Sequence, residues 1–151
     1  MSSREAWHKH LTAAVNGVDI HKHLGIKTIS QSSEQGVPTA RCEFISTPRH
    51  LVGSGTVHGG ISSLIIDLAC FLAVIPTLDP GQGTATIASS FQILGSVTGL
   101  GKKYEVVARM VRRGKSVVFC EGQIECEGQL IAKGNLTKII TEGKKEEKGK
   151  L

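Results

Sequence analysis

Aromatic residues make up only 4% of this 151-residue chain, so stacking platforms for single-stranded nucleic acid are scarce. The four cysteines, Cys42, Cys70, Cys120 and Cys126, are scattered and include no C-x-x-C pair. With no secretory signature beside them, they read as reduced thiols in a cytosol-like compartment rather than a disulfide framework. The opening MSSREAWHKH has no apolar h-region and no small-residue cleavage site, which predicts no secretion. Acidic Glu5 and the sparse arginine of this start argue against a transit peptide. The expected location is the cytoplasm, with the mitochondrial matrix as the other compartment the sequence allows.

The longest apolar stretch, Ile61 to Ile75, is interrupted by Ser62, Ser63 and Asp67. It is also shorter than the ~20 residues of a membrane-spanning helix, so no membrane role is expected. No G-x-S-x-G elbow occurs, which leaves a Ser-His-Asp hydrolase without support. His8-x-His10 and His21-x-His23 have ligand-like spacing, yet no cysteine or acidic cluster accompanies them, and no metal is expected. Net charge is +5, with part of the excess between Lys144 and Lys150. Such a stretch buries too little apolar surface to order itself, and charge of this kind does not by itself indicate nucleic acid.

What is present is 40% hydrophobic residues, enough for one compact domain. A single domain over residues 1–141 and a charged flexible tail over 142–151 are predicted. Residues 4–15 read as a helix, capped by Ser2 or Ser3 and ended by Gly17. Leu24–Ser33 and Val37–Ser46 read as strands joined by a turn at Glu34-Gln35-Gly36. After a Gly- and Pro-containing loop, His58 to about Ile75 is apolar on every side, which predicts a helix buried all round and stopped by Pro76. The period then changes. Thr84–Leu94, Lys103–Val111, Ser116–Cys126 and Gln129–Ile140 are rich in Val, Ile, Thr and Phe. The separators Arg113-Gly114-Lys115 and Glu127-Gly128 are hairpin-sized, so the last three strands form an antiparallel meander. The class is α+β, an antiparallel sheet wrapped around a long central helix.

The chemistry concentrates in Gly55-Thr56-Val57-His58-Gly59-Gly60 and the Ile61-Ser62-Ser63-Leu64-Ile65-Ile66-Asp67 that follows. Glycines at a helix start let a ligand approach amides that have no intrahelical acceptor, and the helix dipole favours negative charge there. Asp67 lies between Ile66 and Leu68, where an unpaired carboxylate is costly and burial favours a base. Eight residues separate Gly59 from Asp67, or ~12 Å along a helix, so one helix cannot both hold and attack one carbonyl. A second copy running antiparallel brings its own Asp67 to the first copy's Gly59, which predicts a symmetric dimer with two shared sites.

GTVHGGISSLIIDLA resembles the HGG-x(6)-D signature of hotdog-fold thioesterases of the phenylacetate-pathway type, within the 4-hydroxybenzoyl-CoA thioesterase superfamily. The resemblance runs from about His23 to Ile140 and takes in the Thr86 strand, the Arg112-Arg113-Gly114-Lys115-Ser116 turn and Leu130-Ile131-Ala132-Lys133-Gly134. It implies a hotdog fold and hydrolysis of an acyl-CoA to free acid and coenzyme A, with no separate cofactor. By the same resemblance Asp67 is nucleophile or general base, and the Gly59 amide polarises the thioester carbonyl. His58 shapes that loop and Thr86 orients the attacking water. Arg112, Arg113, Gly114, Lys115 and Ser116 meet the CoA phosphates, and the stretch from Ile93, Leu94 and Gly95 to Thr98 lines the CoA channel. The implied partners are an acyl-CoA and further copies of the chain, as a homodimer and, by pairing of dimers, a homotetramer. One departure stands out: many relatives carry Asn or Gln six residues before the His, and here that place is Val52, with Ser54 or His50 as possible substitutes. Two other readings stay open, a hotdog dehydratase or hydratase on an acyl thioester and a hotdog domain that binds acyl-CoA or another apolar ligand without turnover.

Overall fold

The computed structural model describes residues 1–143. Helix α1 spans Ser3–Asn16 and begins with a capping box, in which Ser2 and Glu5 each hold the other's backbone amide. A five-residue helix α2, Asp19–His23, follows, and the turn that ends it delays the strand expected from Leu24 until Lys27. The strands are β1 (Lys27–Glu34), β2 (Val37–Ile45), β3 (Gln82–Ile93), β4 (Lys103–Arg113), β5 (Val117–Cys126) and β6 (Gln129–Glu142). Glu142 thus closes the last strand, and residues 144–151 of the expected charged tail lie outside the described residues.

The six strands form one antiparallel sheet in the order β1-β2-β4-β5-β6-β3. Gln35-Gly36 and Glu127-Gly128 all have positive φ, at 52°, 79°, 51° and 74°. These are two-residue hairpin turns whose twist matches that of the flanking strands. The meander β4-β5-β6 is as the sequence predicts. The pairing of β3 with β6 is a long-range closure that no hairpin signal marks.

Between β2 and β3 runs helix α3, Gly59–Val74, continued by a short 3-10 turn at Ile75–Thr77. Gly59–Thr77 has the length and apolarity of a membrane span, and 56% of it is buried in the fold. It packs across β2, β4 and β5 and buries Ile65, Ile66, Leu68, Ala69, Leu72, Ala73 and Val74 against Phe44, Tyr104, Val106 and Ile124. The expectation of burial on every side fails on one face. Gly60, Ser63, Leu64, Asp67 and Phe71 are not buried, and they recur at the spacing of one helix stripe. A single sheet covers only the side of a helix it packs on, so an all-round apolar pattern leaves one face for something else to cover.

Candidate active site

The N-terminus of α3 is fixed by the loop before it. His50 is 1% exposed, with Nδ1 taking the Thr47 amide at 3.0 Å and Nε2 lying 2.7 Å from the Leu24 carbonyl oxygen. Both ring nitrogens are used, so His50 is a strut and does not stand in for the amide side chain missing at Val52. Ser54 is exposed, 3.0 Å from the Thr56 hydroxyl. Val52 is 38% exposed, its amide bonded to the Thr56 carbonyl.

His58 is the N-cap residue of α3, and its Nδ1 accepts the Gly60 amide at 2.9 Å. The His58 carbonyl accepts the amides of Ile61 and Ser62. Among the described residues, the Gly59 amide is left without an intrachain acceptor. Of the two glycines, Gly59 therefore offers the donor, and the imidazole acts as a cap. A Cβ placed on Gly59 would lie 3.5 Å from Cγ1 of Ile93, so the predicted Ile93–Gly95 segment does pass this helix end. The Leu94 and Gly95 amides both bond the Ile131 carbonyl, and Ile93 and Leu94 are each 52% exposed.

Two turns further along α3, the Thr86 hydroxyl donates to Asp67 Oδ1 at 2.7 Å. A bulge in β3 between Thr86 and Ala88 sits directly beside this contact, the kind of irregularity that re-aims a strand side chain. A third member of the group carries no motif that marks it in the sequence. Lys138 Nζ donates to Asp67 Oδ1 and to Thr86 Oγ1, both at 2.7 Å, and its side chain is only 3% exposed. On β6, Gly134, Leu136 and Lys138 are buried at alternate positions, and that period-2 pattern was the available signal. An ammonium is buried here only because it has partners.

The Asp67 side chain is 46% exposed. The burial expected from its Ile and Leu neighbours is thus only partial, and the carboxylate is paired with a cation. Both donors converge on Oδ1, and among the described residues none reaches Oδ2. Two clefts flank the carboxylate. One, of about 340 Å³, is lined by Ser63, Leu64, Thr86, Ser89, Phe91 and Leu136. The other, of about 240 Å³, is lined by Val15, His21, Leu64, Leu68, Phe71, Thr84 and Lys138.

The cationic turn lies at the same end of the sheet as Asp67. Thr86 pairs with Lys138, Lys138 with Val118, and Val118 with Arg113. Arg112, Lys115 and Ser116 are exposed, and Arg113 Nη1 donates to the Gly114 carbonyl at 2.8 Å. One chain therefore brings Asp67 and Thr86 together, places the turn three strands across at the same end of the sheet, and sets Gly59 beside Ile93 at the other end. Gly59 and Asp67 stay ~12 Å apart by helix rise. The arrangement provides an anionic acceptor, a hydroxyl beside it, an unused helix-start amide and apolar clefts.

Residues 54–133 match the sequence profile of the thioesterase superfamily, and the chain belongs to that family. Thioesterase HI1161 of Haemophilus influenzae superposes with a TM-score of 0.79 at 18% identity, over 90% of this chain and 92% of that one. The PaaI protein from the phenylacetic acid degradation operon of Escherichia coli gives a TM-score of 0.78 at 20% identity, over 94% and 98%. A hypothetical thioesterase protein of Streptococcus pneumoniae, solved with coenzyme A, gives 0.68 at 18% identity, over 78% and 87%. At these identities the likeness establishes the hotdog fold. In sequence, the chain is 30% identical over 99 residues to a Caenorhabditis elegans protein named as an esterase, F42H10.6, spanning 64% of this chain but only 57% of that protein.

Proposed function

We propose that this protein hydrolyses acyl-CoA thioesters at two equivalent sites of a homodimer. The observation that carries the reading is the state of Asp67, a half-exposed side chain with one oxygen held by two donors and, among the described residues, no donor on the other. In this reading a second copy lays its α3 antiparallel against the Gly60, Leu64, Asp67 and Phe71 stripe. That brings its Gly59 amide to the first copy's carboxylate. The thioester carbonyl accepts that amide's hydrogen bond. Asp67 Oδ2 takes a proton from water, and the hydroxide adds to the carbonyl carbon. The negative charge that forms on the carbonyl oxygen is stabilised by the amide and the helix dipole. The C–S bond then breaks, the thiolate leaves with the proton held by Asp67, and the free acid remains.

Coenzyme A enters and leaves as part of the substrate. Arg112, Arg113 and Lys115 suit its phosphates, and Ile93 to Gly95 suit its pantetheine arm. The acyl group takes an apolar cleft beside Leu64. Ile87, Val111 and Phe119, exposed on the outer sheet face, support a further pairing of dimers.

The test is a thiol-release assay across short, long and aromatic acyl-CoAs, paired with sedimentation analysis of the assembly. Loss of a positioned base lowers turnover ~10²–10⁴-fold, so Asp67→Asn is expected to fall by that much. Wild-type turnover in that variant would end the assignment. Val52 favours one second reading, an acyl-CoA holder without turnover. Tight binding with no thiol release from any acyl-CoA would establish it instead.

A further inference from the structure

The buried amine of Lys138 is used by nothing in the steps above, and its geometry leaves its neighbours a single arrangement. An ammonium only donates and an ionised carboxylate only accepts. Thr86 stands 2.7 Å from each. Its one hydroxyl proton must therefore point to Asp67 Oδ1, while one of its lone pairs receives Lys138. Oδ1 is filled by two charge-assisted bonds. What remains open is Asp67 Oδ2 and one lone pair of Thr86, both acceptors. A water between them gives one proton to each and turns its own lone pairs away from the pair, toward a substrate carbonyl.

We infer that Lys138 is a positioning residue of this site. By occupying Asp67 Oδ1 and fixing the rotor of the Thr86 hydroxyl, it makes the pair a two-acceptor cradle for the attacking water. Without it the hydroxyl is free to donate to that water and the carboxylate is free to rotate. The water then loses its fixed orientation although both residues are present. The inference rests on the hydrolase reading and adds a residue on β6 to it. Lys138 also packs 6.0 Å from the centroid of the Phe71 ring and shares the row of buried positions with Leu136. A methionine of similar length therefore suits the same space.

The experiment compares wild type, Lys138→Met, Asp67→Asn and the double variant, each checked for a cooperative melt. Lys138→Met is expected to lower kcat ~10–100-fold with KM nearly unchanged, which is the loss of a hydrogen bond to a charged group. In the Asp67→Asn background the same change is expected to alter kcat less than threefold, because groups acting as one unit are non-additive. A wild-type kcat in Lys138→Met, beside an inactive Asp67→Asn, overturns the role of Lys138. A wild-type kcat in Asp67→Asn overturns the hydrolase reading itself. Crystals of Lys138→Met supply a readout that needs no turnover. A rotated Asp67 carboxylate or a lost Thr86 contact supports the inference, and an unchanged Asp67–Thr86 pair refutes it. Should the methionine variant not fold, Lys138→Gln, which keeps a donor but no charge, is judged by the same criteria.

Discussion

Gly122 and Gly134 face each other across β5 and β6, and the side chain of Ile66 rests on both. A Cβ on Gly122 would lie 2.9 Å from Ile66 Cγ2, and one on Gly134 would lie 2.6 Å from Cδ1 of Phe91 and 3.1 Å from that same Cγ2. The pair forms a bare window in the sheet through which α3 comes close. Ile66 immediately precedes Asp67, so the window sets both the height and the rotation of the helix at the carboxylate.

Filling that window is therefore expected to cost stability and activity together. Overpacking a fitted core costs roughly 1–3 kcal/mol, and Gly122→Ala or Gly134→Ala should lower the urea midpoint accordingly. Misplacing the carboxylate by tenths of an ångström should also lower thiol release more than any unfolded fraction explains. Midpoints and kcat measured on the same samples check this. Full activity in a destabilised Gly134→Ala would show that the window matters for packing alone.

Thr86 separates hydroxyl chemistry from strand packing. Thr86→Val keeps shape and strand propensity but removes the link between Asp67 and Lys138. It is expected to reduce kcat by about 10–100-fold, the value of a hydrogen bond to a charged group. Thr86→Ser is expected to restore most of it. Steady-state kinetics on the three proteins decide, and equal rates would remove Thr86 from the site.

Restoring an amide at position 52 should raise turnover. Val52 is 38% exposed and its backbone bond to Thr56 does not depend on side-chain type. Val52→Asn is thus expected to fold and to add a second polar contact at the carbonyl or the water, raising kcat roughly tenfold, or about 1.4 kcal/mol. An unchanged kcat would mean that the Gly59 amide suffices in this chain.

Alkaline pH should unfold the protein through groups remote from the site. Burial pushes the Cys42 thiol up to about 12 and the Tyr104 hydroxyl up to about 12, against ordinary values of roughly 8.5 and 10. The unfolded chain releases these protons first, so it binds fewer protons than the native state across that window. Stability is then full below about 8.5 and falls as pH rises toward about 12. Denaturant midpoints at pH 7, 9 and 10.5 check the sign. A midpoint that rises across this range contradicts it.

The central helix and its HGG start are legible because two signals coincide there: two glycines and a long, mainly apolar run. Asp67 stands out as the one charge in that run. Lys138 does not, because a lysine in a strand reads as solvated unless the alternation Gly134, Leu136, Lys138 is followed inward. Helix α2, Asp19–His23, is too short to show a period. The closure of β3 on β6 joins segments far apart in the chain, and local pattern carries no record of it. The open stripe of α3 is hidden for another reason. Apolarity marks a position that avoids water and says nothing about what covers it.

The residues that would handle the bond and those that would grip the acyl group lie on common elements but at different positions. Asp67, Thr86 and Lys138 form a closed polar knot, whereas Val15, Leu64 and Phe71 surround it with apolar walls. A lineage could therefore swap one wall residue at a time and drift from one acyl group to another while the knot stays untied by none of those changes.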